Sequence, residues 1–290
     1  MQRFVFGVLC TAALLALPLL AAAEPKAAAD RSHDAGAATT SDGAMMPVPA
    51  YDHIVVVVME NQNYSSIIGN TDAPYINALA AAGALLTDYM AVAHPSEPNY
   101  LALYAGSTFG IKDDKRHKLS GATLATVLQS AGRSFVGYVE HPNSSSAHNP
   151  WGSFPEGKSV EKDFDEFPVS DFTRLPTVAF VIPSLDNSMH DGSVAEGDAW
   201  LQAHLASYAR WAPANKSLLV VVWDENHKGS PNQVAGIFHG ADVLSGPNND
   251  PVNHYNILST ILASYGLAGP ANAATAAPIH VFGRTAIGSR

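Results

Sequence analysis

Two apolar runs of the chain end in side chains that are suited to binding a metal ion. Residues 53–59 (His-Ile-Val-Val-Val-Val-Met) are followed by Glu60 and Asn61, and residues 218–223 by Asp224 and Glu225. Carboxylate and amide oxygens are the donors that hard cations prefer. Neighbouring carboxylates repel each other unless a cation or a cationic side chain is close, and no Lys or Arg adjoins either pair. The alternative is that these residues only end two strands, but two such endings together favour a metal site.

Ser96 is the candidate nucleophile. It lies in Ala-His-Pro-Ser-Glu-Pro-Asn-Tyr at residues 93–100, where a loop leads into an apolar helix. The alternative is an N-cap role, in which the hydroxyl accepts backbone N–H bonds and Pro98 fixes the first turn. A helix N-terminus also attracts phosphate through its free N–H groups and its dipole. A serine at that point could attack phosphorus if its hydroxyl is deprotonated or bound to a metal.

Three of the twelve histidines fall at strand-to-helix junctions beside other polar groups. They are His94, His190 (followed by Asp191) and His254, which opens the last predicted helix. A histidine near its ordinary pKa can protonate a leaving oxygen or, when charged, stabilise phosphoryl oxygens. The loop histidines rank lower as candidates: His141, His148 and His227.

Strand-like and helix-like segments alternate from about Tyr51 onward, which predicts an α/β fold with a mostly parallel central sheet flanked by helices. In such sheets the carboxyl ends of the strands form the rim that binds ligands. The predicted strands cover residues 53–59, 134–139, 177–182, 218–223 and 234–238. The predicted helices cover residues 74–82, 98–104, 123–131, 197–211 and 255–265.

The composition of the 290-residue chain, 47% of it hydrophobic, allows one large core. Residues 1–23 are expected to be a secretory signal peptide, with Arg3 before an apolar segment and small residues at its end. The alternative is a retained membrane anchor. Residues 24–50 are expected to be a disordered linker, and residues 51–290 a single domain. The only cysteine, Cys10, lies in the signal. The mature protein would therefore be secreted or periplasmic, without stable membrane insertion and without thiol chemistry.

The formal net charge of −10 argues against nucleic acid as a partner, because such binding needs a basic surface. The charged loop at residues 112–118 is expected to be solvated, and contact with substrate is the alternative. The chain has no Gly-Lys-Ser/Thr phosphate loop, no His-Glu-x-x-His zinc helix and no Gly-x-Ser-x-Gly elbow. These absences weigh against the corresponding nucleotide-binding, zinc-peptidase and esterase classes.

Taken together, these motifs resemble the phosphoesterase family, which contains bacterial acid phosphatases and phosphatidylcholine-type phospholipases C and has an alkaline-phosphatase-like fold. The His-Pro-Ser-x-Pro-Asn-Tyr segment is similar to the version in the short, secreted acid phosphatases. The resemblance extends over about residues 51–265. The segments that carry it are residues 53–61, 94–100, 186–192, 223–225 and 253–254.

The resemblance implies a site built around one divalent metal ion, with Ca, Mg, Mn and Fe all open. Ser96 would be the nucleophile and would also face the metal. Asp191 would support His190. The implied metal ligands are Glu60, Asn61, Asp224 and Glu225, and the residues that would contact the phosphoryl group or the leaving oxygen are His94, His190 and His254.

The expected function is a secreted, metal-dependent acid phosphatase that hydrolyses phosphate monoesters through a phosphoserine intermediate. Either His190 or His254 would donate a proton to the departing alcohol. The substrate would be a small phosphate ester or a phospholipid head group, and the oligomeric state stays open. Two alternatives stand beside it: a phosphodiesterase of the phospholipase C type, and a metal-dependent binding protein without turnover.

Overall fold

The computed structural model describes residues 46–141 and 148–283, all within one compact unit, Ser41–Arg290. The predicted signal peptide and most of the predicted linker lie outside the described residues. The last part of that linker, residues 46–50, packs against the folded body. The Met46 N–H donates to the Phe282 carbonyl at 3.0 Å, and the Ser264 hydroxyl donates to the Pro49 carbonyl at 2.7 Å. The body therefore begins before Tyr51, earlier than the composition suggests.

Eight strands form one sheet within the described residues, in the order β5-β4-β6-β1-β7-β8-β2-β9. The sheet is parallel from β5 to β7, whereas β8 runs antiparallel to both β7 and β2. A separate pair joins β10 and β3. The strands are β1 (His53–Met59), β2 (Ala84–Leu86), β3 (Tyr89–Met90), β4 (Phe135–Val139), β5 (Glu161–Asp163), β6 (Val178–Ile182), β7 (Ser217–Trp223), β8 (Gly236–Gly240), β9 (Gly246–Asn248) and β10 (Val252–Asn253).

Helices flank this sheet, so the predicted fold class is confirmed. The helix α3 begins two residues earlier than predicted, at Ser96, and α6 begins three residues earlier because Ser193 and Glu196 form a capping box. The helices are α1 (Tyr64–Ile67), α2 (Pro74–Ala82), α3 (Ser96–Ala105), α4 (Leu124–Ser130), α5 (Gly157–Val160), α6 (Val194–Trp211) and α7 (His254–Ala263). Within the described ranges, no helix combines the length and the apolar character needed to cross a membrane.

The two longest buried strands lie side by side at the centre of the sheet. Every residue of β7, and every residue of β1 except His53, is buried, which explains why both read as continuous apolar runs. The two strands pair in register up to Met59 and Trp223. Glu60 and Asp224 therefore leave the sheet at the same level, on the rim formed by the carboxyl ends of the parallel strands.

Candidate active site

Three carboxylates meet at this rim, as the strand register requires. Glu60, Asp224 and Glu225 are 1%, 0% and 5% exposed, respectively. The Asp224 N–H continues the sheet by donating to the Met59 carbonyl at 3.0 Å. Three buried carboxylates so close together are costly when all are ionised, because they repel one another out of reach of water.

Asp224 has the least compensated carboxylate of the three. Neither of its oxygens has a hydrogen-bond partner among the described residues. Burial, and then the charges of Glu60 and Glu225, raise the pKa of Asp224 well above its ordinary value. A bound cation would satisfy both oxygens and reverse the direction of this shift. The residues present therefore fit a metal ion.

Ser96 joins the cluster from a different part of the chain. The N-cap position of α3 is Pro95, and no side chain caps the helix. The alternative that Ser96 is an N-cap is therefore wrong, because Ser96 is already the first helical residue. Its buried hydroxyl lies 3.0 Å from Glu225 Oε1 and 3.3 Å from Glu60 Oε2. The side chain is turned toward the carboxylates.

Asn99 holds the loop that delivers Ser96. Its side-chain oxygen accepts the N–H groups of Val92 and Ala93, each at 3.0 Å. Its amide nitrogen donates to the carbonyls of Ala93 at 2.9 Å and Pro95 at 3.2 Å. Asn99 is fully buried, so four hydrogen bonds from one side chain fix the turn before α3.

Two of the predicted histidines lie on the accessible side of the cluster. The His94 ring contacts Glu225 Oε2 through Nδ1, and the His94 side chain is 45% exposed. His190 is also exposed, and its Nδ1 lies 2.7 Å from Asp191 Oδ1. Asp191 is therefore in hydrogen-bond contact with His190, and its supporting role stays a prediction. Both rings are therefore open to a ligand at the rim.

His254 occupies a different environment. It is fully buried at the start of α7, with Nδ1 at 2.5 Å from the Tyr89 hydroxyl and Nε2 at 2.6 Å from the Asp224 carbonyl. A carbonyl only accepts, so Nε2 carries the proton and Nδ1 accepts the Tyr89 hydroxyl. Burial lowers the pKa of His254 to about 4. The expectation that His254 contacts the phosphoryl group or leaving oxygen therefore does not fit the structure, which gives it a supporting position behind Asp224.

His148 and Tyr100 also belong to the site, although the sequence ranks His148 among the lower candidates and does not single out Tyr100. His148 Nε2 lies 3.2 Å from Glu60 Oε1, and the Tyr100 hydroxyl donates to the same oxygen. Tyr100 follows Ser96 by four positions and so shares its helix face, a signal that the sequence did contain. His148 lies in a loop with no periodic element to place it, so no comparable signal existed.

Besides the three carboxylates, a second group of possible metal ligands is present, and Glu60 belongs to both groups. Glu60, His148 and His190 each offer a ligand atom, and these atoms lie within 4.8 Å of one another. Asn61, the remaining predicted ligand, follows Glu60 at the strand end and is only partly buried. The rim thus offers oxygen donors on one side of Glu60 and imidazole nitrogens on the other.

Glu140 anchors the loop that carries His190. Its carboxylate accepts the Ser184 N–H at 2.8 Å, the Asn187 side-chain amide at 2.9 and 3.0 Å, and the Trp200 indole N–H at 3.1 Å. These hydrogen bonds lower the pKa of Glu140 against the opposing effect of burial. The loop between β6 and α6 is therefore held at both its start and its middle.

The fold and the site together define the class of this protein. The model of the phosphoesterase family matches residues 70–268. The chain belongs to the phosphoesterase family, and its chemistry is that of a phosphoester hydrolase.

Its relatives among characterised proteins are phosphatases. A phosphatidylinositol-3-phosphatase of Mycobacterium tuberculosis is 45% identical, over 81% of this chain and 84% of that protein. An acid phosphatase of Aspergillus fumigatus is 26% identical, over 92% of this chain and 66% of that protein.

Solved structures agree on the fold. An alkaline-phosphatase-superfamily protein from Vibrio parahaemolyticus superposes with a TM-score of 0.57 at 13% identity, over 77% of this chain and 69% of that one. A phosphonate monoester hydrolase from Silicibacter pomeroyi gives 0.52 at 12% identity, over 82% and 78%. These likenesses concern the fold alone: the chain has the arrangement of sheet and helices seen in that alkaline-phosphatase-superfamily protein.

Proposed function

We propose that the protein is a secreted, metal-dependent acid phosphatase that hydrolyses phosphate monoesters through a phosphoserine intermediate. One observation supports this above the others: the Ser96 hydroxyl, at the start of α3, lies within hydrogen-bond distance of two carboxylates from the ends of β1 and β7. Such a hydroxyl has both a proton acceptor and, in the helix N-terminus, a partner for phosphate oxygens.

In the first half-reaction Ser96 Oγ attacks phosphorus, and its proton passes to the carboxylate of Glu225 at 3.0 Å. The bond between phosphorus and the alcohol oxygen breaks as the Oγ–P bond forms. When bound, a divalent cation would neutralise the carboxylate cluster and make the Ser96 hydroxyl easier to deprotonate. In the second half-reaction water attacks phosphorus and gives a proton to His190, and the Ser96 oxygen leaves with the proton that Glu225 had accepted.

His190 is the proposed proton donor to the departing alcohol. It is exposed at the rim, and the Asp191 carboxylate at 2.7 Å orients the ring. His94 is the second accessible imidazole, and its contact with Glu225 suits it to holding that carboxylate or a phosphoryl oxygen. Reliance on protonated imidazole favours turnover on the acidic side of neutrality.

The proposed substrate class is a monoester phosphate on a small alcohol or a lipid head group. The name of the Mycobacterium tuberculosis relative, a phosphatidylinositol-3-phosphatase, supports the second choice, and the names of the fungal relatives support phosphomonoesters in general. Export is proposed because an apolar segment with Arg3 near its start precedes the domain. Amino-terminal sequencing of the exported protein, with Glu24 as the expected first residue, tests this part.

The decisive experiment compares hydrolysis of a monoester, p-nitrophenyl phosphate, with hydrolysis of a diester, p-nitrophenyl phosphorylcholine. Both are assayed with and without chelator, on the wild type and on Ser96→Ala. We expect release from the monoester, loss of release in chelator and loss in the variant. Preferential hydrolysis of the diester would instead identify a phospholipase C-type enzyme. Metal binding without turnover of either ester would identify a binding protein.

A further inference from the structure

A cavity of about 520 Å³ lies beside the amino-terminal end of α3. One side of it is cationic and comes from the charged loop at residues 112–118, while the other side is apolar. The cationic side contains Arg116, His117 and Lys118, and the apolar side contains Leu119, Phe154 and Pro155. A cavity of this size and mixed character suits an amphiphilic anion.

Hydrogen bonds connect the cavity wall to the residue that follows the proposed nucleophile. The His117 N–H donates to Ser153 Oγ at 3.3 Å, and the Ser153 hydroxyl donates to Glu97 Oε1 at 3.3 Å. The Glu97 N–H in turn donates to Asp114 Oδ1 at 3.0 Å. Since Glu97 adjoins Ser96, the cavity and the phosphoryl site share one structural unit at the start of α3.

The charge of this loop stands out in an acidic chain. Of the 16 Lys and Arg residues in the chain, Lys112, Lys115, Arg116 and Lys118 fall in seven consecutive positions. The two aspartates of the loop are committed to local contacts. Asp113 accepts His117 Nε2 at 2.7 Å and the Lys115 N–H at 3.2 Å, and Asp114 accepts the Glu97 N–H. The four cationic side chains outnumber these two carboxylates, so the loop keeps a net positive charge beside the acidic cluster at the sheet rim.

The guanidinium of Arg116 has a built position at this cavity. Its Nη2 donates to Asn149 Oδ1 at 2.7 Å. A Cβ at Gly152 would lie 2.6 Å from the guanidinium carbon, so a larger residue at position 152 would displace the guanidinium from this position. Arg116 also borders a second cavity of about 440 Å³ that contains Lys158. The guanidinium held at this junction adds a positive charge to the wall of both cavities.

We propose that this cavity is a second anion subsite, which binds the phosphodiester of a phospholipid head group while Ser96 acts on a monoester phosphate of the same molecule. The cationic side holds the diester, and the apolar side packs against the first part of the attached lipid. The inference rests on the proposed phosphatase function and specifies its substrate: a phospholipid with a further phosphate on its head group. The charged loop then has a binding role in place of the merely solvated one expected from its sequence.

The test measures kcat and KM with three probes: dioctanoyl phosphatidylinositol 3-phosphate, its soluble head group inositol 1,3-bisphosphate, and p-nitrophenyl phosphate. Lys118→Ala and Gly152→Ala should each raise KM about tenfold for both bisphosphorylated probes, the loss of one charged hydrogen bond. Both variants should leave p-nitrophenyl phosphate unchanged within about twofold. Leu119→Ser should raise KM for the lipid alone. Arg210→Ala, which removes an exposed charge from the far end of α6, should change none of the three.

Two outcomes would overturn the subsite. One is an unchanged KM for the lipid in Lys118→Ala and Gly152→Ala, and the other is an equal loss for all three probes, which would show general damage. Binding of inositol 1,3-bisphosphate to Ser96→Ala, measured by calorimetry, separates this question from catalysis. If the wild type turned over none of the probes, the phosphatase proposal would fail. Calorimetric binding that weakens in Ser96→Ala/Lys118→Ala would still establish the subsite.

Discussion

The Ser96 hydroxyl lies 3.0 Å from Glu225 Oε1, although 129 positions separate the two residues in the chain. The carboxylate can accept the proton that the hydroxyl loses on attack, so removal of the hydroxyl should abolish the first chemical step. Ser96→Ala should lower kcat/KM for p-nitrophenyl phosphate by at least about 10³-fold. Because Ser96 does not cap α3, the variant should lose only the hydrogen bonds of the hydroxyl to the two carboxylates and should still fold, which a thermal melt checks.

Thr123→Ala is the matched control for this prediction. Thr123 caps α4, where its side chain accepts the Thr126 N–H. Loss of the cap should destabilise the protein by about 1 kcal/mol, a decrease of about 2–4 °C in melting temperature, and leave kcat unchanged. Activity retained in Ser96→Ala would contradict a catalytic role for the serine, and an equal loss of kcat in Thr123→Ala would show that destabilisation alone explains the effect.

The buried carboxylates predict that divalent cations stabilise the fold. Glu60, Asp224 and Glu225 repel one another when ionised, and both oxygens of Asp224 lack partners among the described residues. A cation at 100 times its dissociation constant should add about 2.7 kcal/mol to the free energy of unfolding. Thermal melts in chelator and in excess Mg²⁺, Ca²⁺, Mn²⁺ or Fe²⁺ measure this difference and rank the metals.

Asp224→Asn should stabilise the metal-free protein and weaken the stabilisation by cation. The neutral amide removes a buried charge, so the variant in chelator should melt above the chelated wild type. Added cation should then raise its melting temperature less than it raises that of the wild type. If the wild type and Asp224→Asn gained equally from cation, Asp224 would not be a ligand.

The positions of the main strands followed from the sequence because burial on both faces produces unbroken apolar runs. The register of Met59 with Trp223 then places Glu60 beside Asp224, as the shared rim predicts. Strands of two or three residues, such as β3 and β9, contain too few positions for any periodicity. His148 and Glu140 reach the site through tertiary contacts between distant loops, and local patterns hold no information about such contacts. The same is true of His254, whose motif indicates a polar junction but not which side of the carboxylates the ring occupies.

The hydrogen bond from Tyr89 to His254 should stabilise the site from behind. Tyr89→Phe removes the donor to Nδ1 and leaves a buried imidazole nitrogen without a partner, at a cost of about 1–3 kcal/mol. The fold should survive, and metal affinity should fall because His254 also donates to the Asp224 carbonyl. Calorimetric titration with the best metal measures the change. Tyr255→Phe is the control. Tyr255 follows His254 on α7 and is only partly buried, so this variant should bind metal with the affinity of the wild type.

Gly197 of α6 leaves space for Met189, the residue that precedes His190. A Cβ at position 197 would lie 2.4 Å from Met189 Cγ, and Met189 is buried with a left-handed φ of 80°. Gly197→Ala should therefore cost about 1–3 kcal/mol by overpacking, against a gain of up to about 1 kcal/mol in helix propensity. It should also lower kcat, because His190 moves with Met189.

Met189→Ala removes the clashing atoms. The double variant should therefore be more stable than the sum of the two single effects predicts, with a coupling of about 0.5–3 kcal/mol. Chemical denaturation of the four proteins gives this coupling directly, and strict additivity would show that the two residues do not compete for the same space.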